Sequence, residues 1–168
     1  MIGGFIMTRE EKIDVAVETA KAAQIRDDVC SRSVLVGLCA VLDDIPDEMI
    51  TASLSLLGGT GAASGSCGAY CAGLLGVGLK FNSSIDDEEA NPGIIAEGIG
   101  KAIEYRNRFL AVHGTILCPN IHEKVFGRSY IFTDPKQEEE FLALEGHAIK
   151  CAEIVGDATR IAAEMILS

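Results

Sequence analysis

Apolar residues recur at helical spacing along most of this chain. Thr8 opens the first predicted helix, because with Glu11 it makes a capping-box pattern, and Ile13, Val17 and Ala20 then follow on one face. The Arg26-Asp27-Asp28 joint ends that helix and offers Asp27 or Asp28 as cap for the next, predicted over 29–42 with Cys30, Val34, Gly37, Leu38 and Val41 on one side. Pro46 suits the start of a third helix running to residue 57. A Gly-rich loop over 58–66 leads into a fourth helix over 67–80. The acidic segment 81–92 reads as a solvated loop. A fifth helix is predicted over 93–112, with Ile95, Ile99, Ile103, Arg106 and Leu110 along one side and His113-Gly114 as its stop. Pro119 starts a short helix that Gly127 closes, and Asp134-Pro135 opens a last helix to residue 167, with Gly146 and Gly156 as points of interruption. Residues 128–133 (RSYIFT) are read as a loop, since no second strand pattern exists for them to pair with.

The expected fold is therefore all-α: five or six helices in one bundle-like domain over 8–168, preceded by a flexible arm over 1–7. No internal repeat or dividing linker is apparent, and 168 residues suit a single core that does not depend on disulfides. The uncharged run 49–79 is long enough to span a bilayer, but its Gly and Ser residues break it near the middle, so it reads as a buried helix pair instead.

A net charge of −11 argues against nucleic acid and anionic membrane surfaces as partners, since both call for a basic patch. Residues 1–7 have neither the length nor the basic start of a secretory signal. The expected setting is the reducing cytoplasm, where dispersed cysteines point to metal or redox chemistry more than to structural bridges.

Six cysteines are present: Cys30, Cys39, Cys67, Cys71, Cys118 and Cys151. Cys67 stands where the Gly-rich loop becomes a helix, and Cys30 and Cys118 also stand near helix starts. Unpaired N–H groups and the positive end of the helix dipole favour thiolate at such places. No CxxC pair exists, so any shared site must be made by the fold. Cys118 and His122 are four apart, as are His147 and Cys151, which makes a Cys2His2 zinc set one alternative. A second is metal-free thiol–disulfide or persulfide chemistry, with Cys67 as the attacking, catalytic thiol and Cys30 or Cys71 resolving. A third is structural: the small-residue helix after Cys67 serves as a homodimer seam. GGTGAASG lacks the Gly-Lys-Ser/Thr ending of a phosphate-binding loop, and no strand precedes it.

The arrangement resembles the redox-active protein family named for its cysteine pattern, C_GCAxxG_C_C. The likeness rests on an upstream helix-starting cysteine (Cys30-Ser31-Arg32-Ser33-Val34-Leu35), the Gly-rich loop, the Cys67-Gly68-Ala69 block running to Gly78-Leu79, and the single cysteines Cys118 and Cys151. Ser66 stands where the family name puts Gly, and Cys39 and Cys71 are additional to the pattern. A similar domain accompanies an iron–sulfur centre in split-Soret cytochrome c. The resemblance thus implies Cys30, Cys67, Cys118 and Cys151 as ligands of an iron–sulfur cluster, in an electron carrier or redox sensor rather than a stand-alone enzyme, with a redox partner protein. The chain has no CxxCH, so the haem of that comparison does not carry over.

Overall fold

The computed structural model describes residues 7–168; the arm expected over 1–7 falls, except for Met7, outside the described residues. Among the described residues the fold is all-α with no strand, as expected. Five helices pack together as the body of the fold: α1 (Arg9–Asp27), α2 (Cys30–Leu38), α4 (Gly68–Phe81), α6 (Ile95–His113) and α9 (His147–Ile166). Others join them: α3 (Asp47–Ala52), α5 (Ile85–Ala90), α7 (Cys118–Phe126) and α8 (Pro135–Leu142). α9 runs against α1 and also touches α2, α4 and α6, while α2 packs on α1 and α4.

The capping box forms as the sequence predicts. The Thr8 side chain accepts from the Glu11 N–H at 3.2 Å, and the Glu11 carboxylate accepts from the Thr8 N–H at 2.7 Å. Thr8→Ala is expected to lower stability by about 1 kcal/mol in urea denaturation, with the helix otherwise intact.

Small side chains bring the central helices together. Gly37 of α2 lies so close to α1 that a Cβ there would meet the Ala16 carbonyl oxygen at 2.5 Å. Gly73 of α4 faces Tyr105 of α6, and Gly76 faces Leu38 of α2. Tyr70, Tyr105 and Phe109 stack beside them, with Tyr70 centred 5.2 Å from Phe109. The small-residue face of α4 is therefore spent inside the chain, with Ala69, Ala72, Gly73 and Gly76 all buried, and is not free to form the intermolecular seam expected of it. No helix among the described residues is long and apolar enough to cross a membrane.

Five boundaries differ from the sequence expectation, one being α3, which stops at Ala52 rather than residue 57 and passes into a 3-10 turn over Ser53–Leu56. Asp28 does not cap α2; it takes a left-handed conformation (φ 52°) that ends α1, and α2 begins without a side-chain cap. α2 stops at Leu38 and tightens into 3-10-type bonds such as Val41 N–H to the Leu38 carbonyl at 2.9 Å. The acidic segment read as loop contains α5, because the Ser84 hydroxyl caps the Asp87 N–H and Asp86, Asp87 and Glu88 sit at the positive end of the helix. The last helix is two, broken before Gly146 (φ 73°), and Phe141 of α8 is buried against the His122 ring.

Candidate functional site

Four chain segments meet at one cavity of about 250 Å³. Cys30, Cys67, Cys118 and Cys151 all line it, together with Asp28, His122 and the apolar side chains of Leu57, Ile121, Phe132 and Phe141. The thiols that the sequence scatters over more than a hundred positions thus share one enclosure.

Each is placed by a distinct local device. Cys30 is the first residue of α2, released from α1 by the left-handed turn at Asp28. Cys67 is the N-cap of α4, with extended backbone (ψ 131°). Cys118 opens α7 beside Pro119. A single antiparallel bridge, Ser66 with Leu117, ties the last two together: the Cys67 N–H donates to the Ile116 carbonyl at 2.7 Å and the Cys118 N–H to the Gly65 carbonyl at 2.9 Å. Cys151 comes from α9, one turn beyond His147.

Glycine permits this approach at two points. A Cβ on Gly68 would meet the Cys30 sulfur at 2.7 Å, so the thiol lies directly on the first turn of α4. A Cβ on Gly59 would meet the Cys118 Cβ at 3.1 Å, and Gly59 also holds φ 87° in a left-handed stretch that includes Gly58, Thr60, Gly61, Ala62 and Ser64. The backbone N–H groups of Gly58, Ser31 and Ala69 bear on the Cys30 thiol, and those of Tyr70 and Ala69 on Cys67, each favouring the ionised form against burial.

Those donors do not produce thiolates, contrary to the expectation from helix position alone. Burial raises the pKa of all four thiols; Asp28 adds to this at Cys30, and neighbouring thiols add to it at the other three. Cys67 feels Cys30 and Cys118; Cys151 feels Cys30, Asp28 and Cys118; Cys118 is pushed up to about 12 by burial and then by Cys30. Four proton-bearing sulfurs facing one cavity is the form this geometry favours in the absence of a cation.

The remaining sequence candidates separate cleanly. Cys71 does not line the cavity and sits 3.8 Å from the Thr60 hydroxyl. Its four-residue spacing from Cys67 suggests a shared helix face, but Cys67 precedes the helix and its side chain leaves in another direction. Cys39 is exposed, against the Leu35 carbonyl at 3.4 Å. His122 does reach the wall: its Nε2 is 3.7 Å from the Cys118 sulfur, and its ring stacks on Phe141 with centres 5.0 Å apart. His147 turns away from Cys151, its Nε2 on Asp28 and its Nδ1 on the Leu144 carbonyl, both at 3.0 Å. The Cys2His2 set is thus not assembled, and among the described residues no three His, Cys, Asp or Glu side chains are drawn tightly enough to hold one ion.

Sequence reasoning missed Asp28 as a cavity residue. Gln24 donates to one carboxylate oxygen at 2.7 Å and His147 meets the other, which fixes Asp28 beside Cys30. It also missed the aromatic wall, where Phe126, Tyr130, Phe132 and Phe141 surround the His122 ring.

His122 is 5% exposed, its Nδ1 has no partner, and burial lowers its pKa from 6.5 to about 4. The unfolded chain therefore binds the extra proton first. In the metal-free protein the His122 contribution to stability is expected to be complete above pH 6.5, to fall as pH drops towards 4, and to level off below. The loss is at most about 3 kcal/mol. His122→Phe keeps the ring stack and removes the titration. Urea denaturation at pH 7 and pH 4.5 should show a smaller acid loss in the variant than in the parent.

A model of the family described as "Putative redox-active protein (C_GCAxxG_C_C)" matches residues 29–165, and this chain belongs to that family. No curated protein and no solved structure matches it.

Proposed function

We propose that this family member is a small electron carrier or redox sensor in which Cys30, Cys67, Cys118 and Cys151 hold an iron–sulfur cluster. The observation that carries the reading is the convergence of four thiols from four helices on one largely apolar cavity. An all-thiol donor set suits iron–sulfur chemistry better than hard-ion chemistry.

The chain's own residues have three tasks at such a centre. The thiols would give up their protons on binding, and the positive charge of the iron would offset the burial and mutual repulsion that otherwise keep them protonated. The N–H groups of Gly58, Ser31 and Ala69 at Cys30, and of Ala69 and Tyr70 at Cys67, stabilise the sulfur charge and favour the reduced, more negative state. Phe132, Phe141, Ile121 and Leu57 limit water. When bound, the cluster supplies one-electron transfer. On this reading a redox partner would approach beside Glu138 and Leu142 of α8, the exposed residues of the cavity lining.

The burial of Cys67 counts against metal-free thiol chemistry, since an attacking thiol needs access and a lowered pKa. Anaerobic purification with iron, sulfide and zinc analysis, visible absorption and electron paramagnetic resonance tests the proposal. Iron and sulfide in comparable amounts, with a brown chromophore, support it. Zinc alone, or a colourless metal-free protein with one fast-alkylating cysteine, overturns it.

A further inference from the structure

α6 presents an apolar stripe that the fold leaves uncovered. Ile95, Ile99 and Ile103, each one turn from the next, are 45%, 52% and 51% exposed. Such a series on a helix of an otherwise well-packed chain marks a contact surface more than a chance residue does. Beside its N-terminal half, a groove of about 260 Å³ joins Ile95, Gly98, Ile99 and Ala102 to Ser83 and Glu88, so α5 lies along one end of the stripe.

The two ends carry opposite charge. α5 holds Asp86, Asp87, Glu88 and Glu89 and no basic residue. At the other end the stripe continues to exposed Arg106, whose recorded side-chain partner is Asn107 at 3.0 Å. Among the described residues neither Arg106 nor any of those four acids takes part in a salt bridge.

We infer that the α6 stripe pairs with the same stripe of a second copy of this chain, antiparallel, with the two-fold axis near Ile99. The surface is its own complement. Turned about Ile99, Ile95 of one copy meets Ile103 of the other, and the basic end of one copy lies towards the acidic α5 of the other. A two-fold interface requires this self-matching, whereas a different partner would not require acid and base to sit on opposite sides of one central residue. The interface is independent of the cysteine cavity and of the metal reading, and it replaces the α4 seam, whose small residues are buried within the chain.

Sedimentation equilibrium of the full chain provides the test, and the expected mass is twice 17.8 kDa. Ile99→Asp occurs twice in the dimer and is expected to raise the dissociation constant by about a thousandfold, with unchanged circular dichroism. Ile103→Asp does the same if Ile99→Asp proves poorly folded. Ile25→Asp on α1, a residue equally exposed at 51%, should leave the mass unaltered. Arg106→Glu weakens pairing about tenfold, and adding Asp86→Arg and Glu89→Arg restores it to within about threefold. A wild-type monomer at every concentration overturns the inference. So does a dimer indifferent to Ile99→Asp and Ile103→Asp, a charge reversal without rescue, or a stripe occupied only by a different protein.

Discussion

Cys67→Ser protein, purified without oxygen, is expected to retain about a tenth or less of the iron and sulfide of the parent and to lose its brown colour. The reason is positional. Cys67 touches both other helix-start cysteines electrostatically, and its N–H bond to the Ile116 carbonyl holds it beside Cys118. Removing its sulfur takes away one of the four donors that line the cavity. Serine is smaller and a harder donor, unsuited to the soft ligand sphere of such a centre. A buried hydroxyl left without a partner costs about 1–3 kcal/mol, so Cys67→Ala serves as a companion that removes the sulfur without adding a polar group. Cys30→Ala, Cys118→Ala and Cys151→Ala are expected to give comparable losses. Cys39→Ala and Cys71→Ala should keep full iron and sulfide, because the first thiol is exposed on α2's end and the second faces Thr60. Elemental analysis and the visible spectrum of the seven variants check this directly. Equal loss from Cys71→Ala, or none from Cys151→Ala, would sink the assignment.

That contrast also shows what a linear reading can and cannot reach. Helix starts are legible because they depend on a few adjacent residues: Thr8 with Glu11, Pro119 beside Cys118, Gly114 and Gly127 as left-handed stops. The cysteine quartet is legible as a set only through its resemblance to a family, since no spacing rule links positions 30, 67, 118 and 151. What joins them physically leaves little sequence trace. One isolated bridge between Ser66 and Leu117 has no alternating pattern behind it. The aromatic wall around His122 needs α7, the 128–134 loop and α8 to converge, with α8 set apart from α9 by the break before Gly146. Asp28 reads as an ordinary cap, while its real place depends on Gln24 one turn back and His147 far along the chain. Cys71 illustrates the same limit: periodicity applies within a helix, and Cys67, one turn before Cys71 in sequence, lies just outside one.

The helix glycines lead to the second large expected effect, a graded change in stability on adding one methyl group. Gly37→Ala is expected to cost about 2–4 kcal/mol even after the roughly 1 kcal/mol that alanine gains in a helix. Its Cβ would press on the Ala16 carbonyl and, at 2.6 Å, on the Ala20 methyl of α1, and neither can turn aside without moving the helix. Gly76→Ala should cost distinctly less, because the obstacle there is the Cδ1 tip of Leu38, which a rotamer change can displace. Gly73→Ala falls between: the obstacle is Tyr105, fully buried and stacked on Tyr70, so the ring can yield only by disturbing its neighbours. Gly100→Ala, with nothing within 4 Å of the added carbon, should instead stabilise by a few tenths to about 1 kcal/mol through helix propensity alone. Urea denaturation of the four variants gives the order directly: Gly37 worst, then Gly73, then Gly76, with Gly100 above the parent. The order tests whether helix contact in this bundle is limited by backbone or by side chain. A Gly37→Ala protein as stable as the parent would mean that α1 and α2 are free to part, and with them the turn at Asp28 that delivers Cys30 to the cavity.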